Sequence, residues 1–349
     1  MSRFDTPVLR SLLRAHPDWL PGGPPDSAAT LVDAYDRLYP QLESRLWAAD
    51  DAAFDDGLAH YQALFREQQA LIDATGVRAQ HRFVIGIPVA DRPAHLRQCL
   101  ESILQLCRLY GYGGRDADGR YAGVEVIVAE DSREPRHVAA HRALVEAYRE
   151  QDLNVAHFDL PEQYALLQAI PEPARRQVER LLTDQPAERF YQKGQAANRN
   201  LCILKMHQRA PDKGHALYYL VDSDQAFLVN RQTAAGEAVV PALNYFYYID
   251  RIFRTADVRV LSGKLVGDPP VSPAVMAANF LDDALAFLDR IAACDPQSPC
   301  GFHRQAAALP GDAAYHDLAQ LFGFAAQTPA FDYRCPLPQP HDHAACLAG

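Results

Sequence analysis

Asp222 and Asp224 stand one residue apart in the turn Asp222-Ser223-Asp224, directly after the apolar run Ala216-Leu217-Tyr218-Tyr219-Leu220-Val221. Such a run reads as a buried strand. A turn at its end lets both carboxylates face one volume, where their repulsion raises the proton affinity of one of them. A hard divalent cation removes that penalty, because Mg²⁺ and Mn²⁺ take oxygen ligands and share them with the phosphates of a bound substrate. The same residues also suit a solvated turn carrying an aspartate helix cap.

The elements around this turn predict where it sits. Phe83-Val84-Ile85-Gly86-Ile87-Pro88 is a short apolar run closed by proline, and Val124-Glu125-Val126-Ile127-Val128 is a second, ending in Ala129-Glu130-Asp131-Ser132. Between them, Leu96, Leu100, Ile103 and Cys107 recur at helical spacing after Pro93, a residue that suits the first turn of a helix. A further helix over about 137–151 and a third strand over Asn154–Phe158 complete an alternation that predicts a parallel sheet covered by helices. In such sheets ligands sit beyond the carboxyl ends of the strands, which places Pro88–Arg92 and Glu130–Ser132 at one mouth. Residues 161–190 read as a helical excursion and Gly194–His207 as a helix. The aromatic stretch from 239 to 254 also reads as helical, Val258–Leu261 as a strand, and the segment from Ser272 to about 293 as a helix. Residues 1–77 read as helical, interrupted by PGGPP at 21–25, with Leu31, Tyr35, Leu38, Leu42 and Leu58, Tyr61, Phe65 at helical spacing; this segment predicts a cap on the next domain, with an acceptor-binding or oligomerisation role as the alternative.

Three segments carry a resemblance. Ile87-Pro88-Val89-Ala90-Asp91-Arg92-Pro93 with its following helix, Val126–Ser132, and Gly194-Gln195-Ala196-Ala197-Asn198-Arg199-Asn200 ahead of the Asp222/Asp224 strand occur in the order of the family-2-like GT-A glycosyltransferases. Over residues 82–230 the chain resembles that branch of the nucleotide-diphospho-sugar transferases. The resemblance implies an α/β, Rossmann-like GT-A fold, mixed and mostly parallel, with an N-terminal helical extension. The implied divisions are 1–80 for the extension, 81–294 for the catalytic domain and 295–349 for an acceptor-side tail. It further implies a nucleotide-sugar site at Pro88, Asp131, Arg199 and Asp222, with Asp131 accepting from the donor's base and Arg199 near the diphosphate or the sugar. Mn²⁺ or Mg²⁺ would be held by Asp222 and Asp224. A carboxylate reads N–H groups on a base edge and a guanidinium forks onto phosphate. Read without the resemblance, Asp131 is equally a helix cap and Arg199 the partner of a surface carboxylate. Two features depart from the family pattern: Asp91 stands where asparagine is common, and the segment from Asp159 to Gly194 is long.

An inverting transferase needs a general base beyond the metal motif. Asp268, in Gly267-Asp268-Pro269-Pro270, and Asp283, beside Asp282 in a helical pattern, are the candidates; a retaining enzyme needs neither. His341-Asp342-His343 reads as a tail rather than a metal ligand, and the run Tyr245–Tyr248 as core rather than a sugar platform.

Composition bounds the rest. The 349 residues are 48% hydrophobic and 22% charged, with 34 basic against 44 acidic side chains and a net charge of −10. No basic block offers a nucleic-acid backbone its counter-charge, so nucleic acid is excluded as a partner. The start lacks the apolar core of a signal peptide. No run of about 18 apolar residues occurs, so a membrane span is not expected. Seven cysteines without a CxxC pair predict reduced thiols and a cytoplasmic protein. The expected activity is transfer of a hexose-type sugar to a glycan, lipid-linked or small-molecule acceptor. Nucleotidylyl transfer is disfavoured because Val89–Arg92 lacks glycine; a degenerate transferase domain kept as a binding or scaffold module is the alternative.

Overall fold

The computed structural model describes residues 4–21, 23–210, 215–263 and Leu285. The chain divides into two compact units, Met1–Arg259 and Val260–Gly349, and every element named below belongs to the first. Helices α1 (Pro7–Ala15), α2 (Ala28–Ala48) and α3 (Asp51–Thr75) precede strand β1 (Arg82–Val89). Side-chain caps start the two long helices: Ser27 accepts from the Thr30 N–H at 3.2 Å and Asp50 from the Ala53 N–H at 2.9 Å.

The alternation follows as expected. Helix α4 (Pro93–Tyr110), β2 (Val124–Glu130), α5 (Pro135–Arg149), β3 (Asn154–Phe158), α6 (Leu160–Gln168), α7 (Glu172–Val178), α8 (Gln195–Arg209) and β4 (Ala216–Leu220) come in order. Then follow β5 (Leu228–Thr233), β6 (Gly236–Pro241) and α9 (Tyr245–Thr255). The four strands β3-β2-β1-β4 form one sheet in that order, each neighbouring pair parallel. The fold is thus α/β, with a helix-flanked parallel sheet of Rossmann-like arrangement. From β1 the sheet grows through β2 to β3, and the chain then returns to place β4 on the other side of β1. The order reverses at β1, so the crevice beyond the carboxyl ends of β1 and β4 is the natural ligand position.

The two faces of β1 divide its side chains. Phe83, Ile85, Ile87 and Val89 join α3, α4 and α5 in one core, while Val84 joins Ile127, Ala129 and α8 in the other. Burial on both sides is why these strands read as continuous apolar runs rather than alternating ones. At Gly86 a Cβ would lie 2.6 Å from Cys202 Sγ and 2.8 Å from Met206 Sδ, so the missing side chain lets α8 rest directly on the sheet. That close seat holds the start of α8 at the sheet's mouth.

The N-terminal helices share the core of the sheet. Leu31, Tyr35 and Tyr39 of α2 and Tyr61 and Phe65 of α3 belong to the same buried cluster as Phe83 and Ile85. Tyr39 stacks on Phe65 with centroids 3.7 Å apart, and Tyr247 of α9 meets both edge-on. The helices α2 and α3 therefore pack into the sheet's own core; the expected boundary at 294/295 lies outside the described residues.

Two sequence expectations are corrected. Val258–Leu261 is not a strand: the Val258 N–H turns back to Ala256 O at 2.9 Å, and Val260 is 83% exposed, so among the described residues no sheet face covers its apolar side chain. The start of the stretch read as helical from 239 is instead β6, paired antiparallel with β5. The hairpin turn lacks the usual Asn-Gly signal and is held from afar, since Asp51 accepts from the Ala234 N–H at 2.8 Å. The segments 264–284 and 286–349, including the helix expected after Ser272, lie outside the described residues. Cys99, Cys107 and Cys202 are buried free thiols. Among the described residues no helix is long and apolar enough to cross a membrane.

Candidate functional site

The ends of β1, β2 and β4 and the first turn of α8 border one cavity of about 370 Å³, lined among others by Pro88, Asp131, Asn198, Asp222 and Asp224. Each wall is anchored. The Val221 N–H donates to Gly86 O at 3.0 Å, the Gln225 N–H to Asp222 O at 3.0 Å, and the Phe227 N–H to Ser102 Oγ on α4 at 3.0 Å. The Asp222–Gln225 turn is thus fixed on both sides. The β2 end is tied to β1 by the Asp131 N–H donating to Val89 O at 2.8 Å, and Ser132 Oγ accepts from the Asp91 N–H at 2.8 Å. Asp91 adopts a left-handed backbone with φ 54° and is exposed. Its carboxylate is not on the cavity wall, whereas Arg92 is.

Glu130 forms the floor beneath these loops. It is fully buried, and its Oε2 accepts from His141 Nδ1 at 2.9 Å and His157 Nε2 at 3.1 Å. Oε1 accepts from the N–H groups of Asp131 at 3.0 Å and Ser132 at 2.8 Å. Burial alone pushes the carboxyl up, but the hydrogen bonds from His141, His157 and Ser132 outweigh it and hold Glu130 well below the ordinary range. A carboxylate ionised at neutral pH and fully bonded fixes the conformation of the turn that presents Asp131.

Asp131 is compensated by a buried cation. Lys193, just before α8, places its fully buried Nζ 2.5 Å from Asp131 Oδ1 and 3.2 Å from Glu130 O. Burial raises the Asp131 carboxyl and lowers the Lys193 ammonium, and their mutual attraction offsets this only in part. Beside them, Asn198 donates from Nδ2 to Ala129 O at 3.0 Å, while its Oδ1 is buried without a hydrogen-bond partner. Helix α8 begins at Gly194, whose φ of 83° suits glycine, with no side chain capping its first N–H groups.

Asp222 and Asp224 are each met by an arginine: Arg199 donates to Asp222, and Arg92 Nη1 lies 3.4 Å from Asp224 Oδ2. Four of the expected site residues, Pro88, Asp131, Asp222 and Asp224, border the cavity, and Arg199 joins them through Asp222. Asp268, Asp283 and His341–His343 lie outside the described residues. As a donor set for a hard cation, the two carboxylates fit a site completed by phosphate oxygens and water, the usual Mg²⁺ arrangement. Among the described residues no group of three or more His, Cys, Asp or Glu side chains forms a self-sufficient metal cage. The run Tyr245–Tyr248 is packed rather than presented: Phe246 and Tyr247 are buried, and the Tyr247 hydroxyl donates to Asp36 at 2.6 Å.

No protein-family model, curated protein or solved structure matches this chain. Lys193, Asn198 and the His141/His157 pair were not singled out from sequence. Asn198 did leave a signal, since it breaks the Ala-Arg-Asn pattern immediately before Arg199. A lysine in a charged excursion and two isolated histidines leave none.

Proposed function

We propose that the chain is a metal-dependent GT-A-type glycosyltransferase that moves a sugar from a nucleotide-diphosphate sugar to an acceptor hydroxyl. The observation that carries this reading is the convergence of three separate motifs, from the β1, β2 and β4 ends, on one cavity at the point where strand order reverses. The chemistry of the walls is divided. Asp131 and Asn198 offer acceptors on the β2 side. Arg92, Arg199 and the uncapped start of α8 offer charge and N–H groups to a diphosphate. Asp222 and Asp224 would hold Mn²⁺ or Mg²⁺, which when bound would stabilise charge on the departing nucleoside diphosphate. In an inverting reaction Asp268 or Asp283 would take the acceptor proton. The acceptor is a glycan, a lipid-linked sugar or a small molecule.

The test is release of nucleoside diphosphate from a panel of nucleotide sugars, with and without Mn²⁺, followed by chromatography. Asp224→Ala should lower turnover by about a hundredfold or more, as expected for losing several kcal/mol of charge stabilisation. Undiminished turnover in that variant would remove the metal from the proposal. One observation favours a second reading, a nucleotide-sugar-binding module without turnover: arginines already neutralise both carboxylates. That reading predicts tight binding of a nucleotide sugar without Mn²⁺ and no release of product.

A further inference from the structure

Asn198 Oδ1 is the one atom among the described buried, unpartnered side-chain polar atoms whose residue also borders the cavity. The residue is 1% exposed, and the bond from Nδ2 to Ala129 O at 3.0 Å fixes which way its amide points. Exchanging the two amide ends would set one oxygen against another at that distance. A buried acceptor without a donor costs free energy, and the residue that carries this one borders the cavity. Next to it, Lys193 occupies Asp131 Oδ1 and leaves Oδ2 without a hydrogen bond from any described residue. The fixed polar groups on this wall are therefore two acceptors, while Gln195, also on the wall, is exposed and can present either end of its amide.

Resting on the nucleotide-sugar reading, we infer that Asp131 and Asn198 together read a guanine edge, Asp131 taking the ring N1–H and Asn198 the 2-amino group. Guanine carries two adjacent N–H donors. Uracil and thymine carry a single ring N–H between two carbonyl oxygens, so any of them placed on Asp131 turns an oxygen toward Asn198. Cytosine and adenine offer one amino group beside a ring nitrogen acceptor. A site that leaves a buried acceptor unpaired discriminates against the ligand that fails to pair it.

The experiment is isothermal titration of the full chain with Mn²⁺ and guanosine, inosine, uridine and cytidine diphosphates, for the natural protein and for Asn198→Ala. Inosine diphosphate differs from the guanosine compound only by the absent 2-amino group, so that comparison needs no variant. The expected result is guanosine diphosphate bound roughly tenfold more tightly than inosine diphosphate, as one hydrogen bond implies. Asn198→Ala should erase that difference by weakening the guanosine compound alone. Equal affinity for the two purines in the natural protein, or tighter binding of uridine or cytidine diphosphate, overturns the assignment. A uridine preference abolished by Asp224→Ala would leave the transferase reading standing, whereas no binding of any nucleoside diphosphate would remove both.

Discussion

Replacing Glu130 with alanine takes an acceptor from four donors at once: two imidazole N–H groups at 2.9 and 3.1 Å, the Ser132 N–H at 2.8 Å and the Asp131 N–H at 3.0 Å, of which only the last keeps a second acceptor among the described residues, Val89 O at 2.8 Å. Each orphaned buried donor costs roughly 1–3 kcal/mol. The histidines can change tautomer and water can enter the space vacated, so the expected loss is about 3–5 kcal/mol rather than the full sum. Against a whole-domain stability of roughly 5–15 kcal/mol the variant stays folded but melts early. Urea unfolding followed by circular dichroism measures the loss, and its pH dependence adds a second, independent check. The folded-state carboxyl titrates below the ordinary value of about 4.3. Its contribution is therefore complete above that pH and fades as pH falls through the lower folded value. The gap between natural protein and Glu130→Ala should be widest above pH 5 and should narrow on acidification. Glu130→Gln, which keeps one acceptor oxygen, should fall between the two. A loss under about 1 kcal/mol at pH 7, against the 3–5 expected for a broken buried pair, or a gap that holds constant down to pH 3.5, would refute the assignment of Glu130 as an ionised anchor of the site.

The Lys193–Asp131 pair should behave in the opposite way. Raising the buried acid and lowering the buried base both subtract stability near neutral pH. The double variant Asp131→Leu/Lys193→Met should therefore be as stable as the natural protein or more so, by up to about 4 kcal/mol, while losing nucleotide binding. Lys193→Met alone should cost about 3–5 kcal/mol, and calorimetry showing the double variant below both single ones would contradict this. Gly86→Ala should cost about 1–3 kcal/mol by forcing α8 off the sheet. Adding Cys202→Ala should recover part of that cost, so strictly additive effects would disprove the contact. Arg199→Ala frees Asp222 and should tighten Mn²⁺ binding to the ligand-free protein, read by electron paramagnetic resonance, while weakening nucleoside diphosphate binding. Parallel weakening of both would show that Arg199 organises the turn instead of competing for it.

Much of the framework is legible in local pattern. Val84 and Ile85, Val126 to Val128 and the run Ala216–Val221 announce strands because a sheet covered on both faces needs apolar side chains at every position. The polar residues that end those runs, Asp131 and Asp222–Asp224, mark the ligand side for the same reason: the sheet's cover stops where the strand does. What sequence could not convey is pairing across distance. Arg92 meets Asp224 from 132 residues away and Lys193 meets Asp131 from 62. Nothing in the local spacing of any of these residues records the crossover from β3 to β4 that unites them. The buried histidines under Glu130 and the turn of the β5–β6 hairpin, held by Asp51, were invisible for the same reason. Conversely, Val258–Leu261 has a strand's composition but lacks a neighbouring strand among the described residues, and composition without a partner is not enough to make one. The one-dimensional pattern of burial set the sheet and its mouth. Which charges neutralise one another there, and which acceptor is left for a ligand, was decided only by the tertiary packing that seats α8 on Gly86 and β4 beside β1.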